Sequence, residues 1–215
     1  MKFILANALS LICLAAMILV GVIMYPGLPE TVPAQYNFVG VADNYLPKQA
    51  VILVIPIAYA ASIALIHLMI RYSPEKFAMP NSQRAMQTIV FGVGILLLSV
   101  HVGILIAEGD RNTFHQYFSP GIACFLIIMG NVIGKTERNF IAGIRIPWTL
   151  ASTENWRVTH RFAGRLMVVS GLVLLVAGYL WPSLLLTICL GLGWLLASAI
   201  YSFLFYLKNE RRASD

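Results

Sequence analysis

Apolar and polar positions in this chain fall into separate blocks. Long apolar runs, Phe3–Tyr25, Gln49–Ile70, Ala85–Ala107, Tyr117–Ile133, Leu166–Leu180 and Leu184–Leu207, alternate with short segments that hold nearly all the charge. A helix needs about 20 apolar residues to cross the hydrocarbon core, and it satisfies its own backbone polar groups there. The pattern therefore predicts an all-α integral membrane protein of six transmembrane helices. The fourth is expected to be the shortest, and the fifth to extend inward through amphipathic turns ahead of Leu166. Lys2 gives the first run a resemblance to a signal peptide, but its apolar core is too long and no small-x-small cleavage site precedes Pro26–Lys48. The first helix is expected to be retained.

Charge sets the orientation. Lys2, Arg71, Lys76, Arg84, Lys135, Arg138, Arg145, Arg157, Arg161, Arg165, Lys208, Arg211 and Arg212 fall on one side of the spans, 13 of the 15 basic residues, and only Lys48 and Arg111 on the other. The positive-inside bias then predicts cytoplasmic N and C termini and a cytoplasmic loop over 134–160. Hydrophobic residues are 59% and charged residues 11% of the 215 positions, so no soluble basic module exists to bind nucleic acid. The net charge of +6 belongs to inner loops facing membrane lipids. Cys13, Cys124 and Cys189 sit inside apolar runs and read as small hydrophobes. The chain divides into an N-terminal membrane region, 1–110, with the outer loop 26–48, and a C-terminal region, 111–215, with the inner loop.

The outer loop carries Pro26, Pro29, Pro33 and Pro47, which hold it extended, and Gly40, which can take a positive φ. It shows no helical or strand period. A Pro-rich loop of this length with little charge suits a recognition surface, with Pro33, Asn37, Gly40 and Asp43 as its candidate residues. Within the spans, His101 and Glu108 are seven residues apart on one face near the outer rim, and His115 follows across a short link. Such a cluster reads as interfacial hydrogen-bonders, as a proton relay or as a metal site. Zinc spacing, phosphate-binding Gly loops and paired carboxylates are absent from the sequence, so no metal, cofactor or catalytic set is assigned and the chain is not expected to be an enzyme. Gly164, Gly171 and Gly178 form one stripe on the fifth span, and Cys189, Gly193 and Ala197 another on the sixth. Small residues let backbones approach, so the last two spans are expected to pair through these stripes.

The densest polar stretch is GNVIGKTERNFIAGIRIPWTLASTENWRVTHRFAGR, Gly130 to Arg165. Ser152 is placed to cap a helix whose first turn holds Glu154. From there Arg157, Arg161 and Arg165 share one face, and Trp156, His160 and Gly164 the adjacent one. Pro147 forces Ile146 to be extended, and Trp148 can sit at headgroup depth. Anchoring alone does not require so specific a turn.

This stretch resembles the signature of the SdpI family of bacterial immunity proteins, through Asn131, Asn139, the Gly143-Ile-Arg145-x-Pro147-Trp148-Thr149 turn, Trp156, Thr159, His160 and Arg161. The N-terminal part resembles the membrane domain of unknown function that often precedes it, through Pro33, Asn37, Gly40, Asp43 and Lys48. Related sequences often carry His where this chain has Gln35, so a role for that His does not carry over. The resemblance implies a multi-pass protein of the bacterial inner membrane that protects against a secreted toxic peptide. In the best-known member it also implies a receptor that holds a cytoplasmic repressor at the membrane. A transporter or lipid-handling protein is the alternative, with His101 and Glu108 as its path and the stripe of Arg157, Arg161 and Arg165 holding an anionic headgroup.

Overall fold

The computed structural model describes residues 7–36, 42–72, 83–107, 109–139 and 142–209. Asn37, Gly40 and Glu108, with Lys2, Lys76, Arg211 and Arg212, lie outside the described residues. Among the described residues, six helices are long and apolar enough to span a membrane: α1 Ala8–Met24, α2 Lys48–Arg71, α3 Gln83–Ala107, α4 Arg111–Ile133, α6 Thr153–Leu180 and α7 Leu184–Asn209. A short helix, α5, covers Pro147–Ala151. The fourth span is longer than its apolar run indicates. Its polar first turn is helical because Asp110 caps it, its carboxylate accepting from the Thr113 amide at 2.8 Å and the Thr113 hydroxyl at 2.6 Å. Those two donors hold the Asp110 carboxyl below the usual carboxylate range.

The outer loop is not periodless. After one 3-10 turn, Tyr25–Gly27, it forms an antiparallel hairpin of β1 Thr31–Tyr36 and β2 Ala42–Pro47. Pro33 lies inside β1, and the register slips on either side of Gln35. A proline and a bulge are tolerated in a two-stranded ribbon, where each strand has a free edge, and together they erase the two-residue alternation that would have announced it. Val32 is buried with Leu28, Val51 and Leu105, which pins the hairpin onto the outer ends of α2 and α3. Lys48 closes its base: its amide donates to Glu30 O at 3.0 Å and its ammonium pairs with the Glu30 carboxylate at 3.0 Å. Asp43 is exposed on the hairpin, whereas Pro33 is buried beside Gly109, whose φ is +98°.

The first three spans share a core of Met17, Tyr59 and Val90, and the Tyr59 hydroxyl donates to Val90 O at 3.0 Å. In the second half the glycine stripe of α6 faces α4 and not α7. A Cβ on Gly164 would lie 2.6 Å from Gly130 O, and one on Gly171 would lie 2.8 Å from Ala123 O, while Gly178 meets Ser119. On α7, Cys189 is exposed and Gly193 has nothing within 4 Å of its would-be Cβ. The tight seam is therefore α4/α6. The small residues of α6 find matching small residues on α4, and that is what close backbone approach requires. Helices α6 and α7 are still neighbours, joined by the stacked rings of Phe162 and Tyr201 at 4.5 Å. The buried residues of α7 are Thr187, Ser198 and Ser202, all hydroxyl-bearing.

Candidate functional site

The inner segment between α4 and α6 folds into a polar knot built from side chain to backbone bonds. Thr136 is buried and its hydroxyl donates to Ile133 O at 2.7 Å, prolonging the end of α4. Asn139, also buried, bridges its own loop: its amide donates to Glu137 O at 2.7 Å and its carbonyl accepts from the Ala142 amide at 2.8 Å. Such local bonds let Asn shape an irregular backbone that has no ladder to satisfy it. Arg138 donates to Leu150 O at 2.9 Å and Ala151 O at 3.2 Å, meeting the carbonyls that α5 leaves open at its C-terminus.

The predicted Pro-fixed turn is in part a helix. Ile146 is extended, as the following proline demands, but Pro147 then occupies the first position of α5, where its missing N–H costs nothing. Thr149 is buried under this turn, its hydroxyl 2.7 Å from Ile144 O and 3.1 Å from the Ile146 amide that it accepts. Trp148 does not stand alone at headgroup depth. Its ring is half-buried against Phe203 at 5.2 Å and Tyr206 at 6.2 Å, so it docks α5 onto the inner end of α7.

Helix α6 supplies the other half of the knot. Ser152 caps it by accepting from the Asn155 amide at 3.1 Å, and Glu154 forks onto Arg157 at 2.9 and 2.5 Å. Trp156 is buried, its indole N–H donating to Thr136 O at 2.9 Å, and its ring stacks on His160 with centroids 4.0 Å apart. His160 is fully buried and both of its nitrogens are engaged. Nδ1 lies 2.8 Å from Trp156 O, an acceptor, so it carries the proton, and Nε2 takes the Ile144 amide at 2.9 Å. That pair of partners fits only the neutral Nδ1–H tautomer. Gly143, at φ +133°, passes directly over these rings. A Cβ there would lie 2.5 Å from His160 Nε2 and 2.8 Å from the Trp156 ring.

Thus Asn139, Gly143, Thr149, Trp156 and His160 converge on one knot. Thr159 lies a turn away in a second network, donating to Asn155 Oδ1 at 3.0 Å. Asn155, which the sequence reading did not single out, is fully buried and ties α6 to α7, accepting from the Ser202 hydroxyl at 2.5 Å and donating to Ser202 O at 3.2 Å. A position beside a cap residue on an amphipathic turn gave no sign of a partner so distant in sequence. Asn131, Arg145 and Arg161 are exposed at the rim, with Asn131 bonded to Ile127 O at 2.7 Å.

The imidazoles of the outer half do not form a cluster. His101 is buried against α1, where a Cβ on Gly21 would lie 3.6 Å from its Nε2, while His115 turns to α7 and its Nε2 is 3.0 Å from the Thr187 hydroxyl. Each ring therefore faces a different neighbour, and Glu108, the third member of the expected cluster, lies outside the described residues. Among the described residues no group of three His, Cys, Asp or Glu side chains could hold a metal.

Two family models match the chain in this order. Residues 11–59, covering α1, the hairpin and the first half of α2, match a domain of unknown function (DUF1648). Residues 135–202, which contain the knot and both helices packed on it, match the SdpI/YfhL protein family. The stretch that resembles that family is thus the one that holds the knot. Over 208 residues it is 27% identical to the Immunity protein SdpI of Bacillus subtilis (strain 168), a span of 94% of this chain and 96% of that protein. No solved structure matches. Likeness over both chains, together with six apolar helices, makes this a multi-pass protein of the bacterial inner membrane.

Proposed function

We propose that the chain is an immunity protein, protecting the cell that carries it from a secreted toxic peptide. The observation that carries this reading is the end-to-end likeness to Immunity protein SdpI, with the knot inside the matched region. In this reading the hairpin β1/β2 meets the peptide outside, and the knot holds the inner ends of α4, α6 and α7 in one arrangement. Arg145 projects from the rim of that knot beside Pro147 and is its recognition residue, through the paired contacts that a planar guanidinium makes and an ammonium does not. A cytoplasmic repressor held at this rim is the finer form of the proposal.

The test is deletion of the gene followed by co-culture with the parent strain, which makes whatever peptide the protein resists. The deletion strain should be killed and the intact gene should rescue it. Undiminished survival of the deletion strain would overturn the reading. Rescue by an Arg145→Lys gene at matched membrane levels would leave immunity standing but remove Arg145 from it.

A further inference from the structure

The α4/α6 seam opens at its inner end into a cleft of about 660 Å³, lined by Gly130, Asn131, Lys135, Arg161, Arg165 and Val168, among others. Its floor has no side chains because the two backbones nearly touch there. A Cβ on Gly130 would be 2.6 Å from Gly164 O, and one on Gly134 would be 3.2 Å from Arg161 Cα. A hollow is left where a pair of ordinary helices would have interleaved side chains. Val168 and Val169 line the cleft at the end nearer the apolar spans, and Val169 is more than half exposed. The opposite rim carries Lys135 from the end of α4 and Arg161 and Arg165 from α6.

These three cations differ from Arg157 and Arg138, their neighbours on the inner face. Arg157 is forked onto Glu154, and Arg138 donates to the carbonyls ending α5. Among the described residues, Lys135, Arg161 and Arg165 are in no ion pair, and Glu154 acts on Arg161 only at longer range. No acid lines the cleft. Three cations over a glycine floor, with two valines at the end nearer the spans, complement one ligand shape: an anionic head attached to a hydrocarbon chain. The two arginines are four residues apart on one helix face, so both can grip one phosphate while the lysine adds a point charge from the opposite wall.

We propose that this cleft is a discrete site for one anionic phospholipid of the inner leaflet, its phosphodiester held by Lys135, Arg161 and Arg165 and an acyl chain lying along Val168 and Val169. The site shares Asn131 and Arg161 with the rim of the knot but does not depend on the immunity reading. Native mass spectrometry of the purified, delipidated chain, titrated with phosphatidylglycerol or phosphatidylcholine, is the test. One phosphatidylglycerol should be retained per chain, in preference to phosphatidylcholine. Arg165→Gln and Lys135→Gln should each weaken its retention about five- to tenfold, with the melting midpoint in detergent unchanged, whereas Arg157→Gln should not alter it. Equal retention of the two lipids, or an equal loss in Arg157→Gln, would reduce the cleft to general attraction by a basic face and overturn the proposal. Glycerol phosphate competing as well as the whole lipid would assign the cations to a free phosphate and would also overturn it.

Discussion

The hairpin outside and the knot inside are both irregular segments between spans, both carrying Pro and Asn, and they are held by opposite means. The hairpin rests on backbone pairing between β1 and β2, one apolar plug at Val32 and one ion pair at its base. The knot has no ladder. Its backbone is held by the side chains of Asn139, Thr149, Trp156 and His160, each bonded to main-chain groups of the loop. A ladder depends little on which side chain stands at a given position, whereas the knot depends on particular atoms. The hairpin can therefore vary in sequence, and the knot cannot vary without losing its shape.

Substitutions at four places test this contrast, and their expected effects fall in order. Gly143→Ala should be the most damaging, at about 3 kcal/mol or more, because it combines a disfavoured backbone with a Cβ driven into the His160 and Trp156 rings. Loss of folded protein from the membrane, or a steep fall in melting midpoint, is the readout. A near-normal midpoint would mean the loop does not pass over the rings. Gly171→Leu should follow, at about 1–3 kcal/mol, by overpacking α4 against α6. A disulfide between cysteines introduced on these two helices should form in the parent protein and be lost in the variant. His160→Phe keeps an aromatic ring on Trp156 but leaves the Ile144 amide without an acceptor, at a cost of about 1–3 kcal/mol. Faster hydrogen exchange at Ile144, with α4 and α7 unaffected, is the specific signature. Glu30→Gln should have the smallest effect, no more than about 1 kcal/mol, because an exposed pair contributes little. A larger fall there than in His160→Phe would invert the comparison.

The spans were legible in the sequence because the bilayer imposes length and apolarity on each one separately. Much of the knot was legible by other means: helix periodicity put Trp156 and His160 on one face, and the family resemblance, not any rule of polarity, marked Asn139 and Thr149. What the sequence did not show was pairing over distance. Gly164, Gly171 and Gly178 announced a close contact without naming its other side, and the small residues of α7 were as eligible as Gly130 and Ala123 of α4. Asn155 could not be told from a solvated first-turn residue until Ser202 stood against it. The hairpin was hidden by Pro33 and a register slip. Helix α5 had a signal that went unread, a proline at its first position and a capping serine directly after it.

Helix α7 buries hydroxyls where a water-soluble helix would bury a hydrophobic stripe. Surrounded by hydrocarbon, its many leucines gain little from one neighbour over another, so apolar matching cannot decide how the helix sits. Ser202 against Asn155 and Thr187 against His115, far apart along its axis, act like two teeth on a rack. Sliding by a single residue would move every atom about 1.5 Å and turn the helix about 100°, disengaging both teeth together. Intermediate positions are thereby excluded: α7 is either meshed or free. Its lipid-facing surface can drift widely in sequence without loosening it, while the loss of one of these oxygens would leave its register to the other.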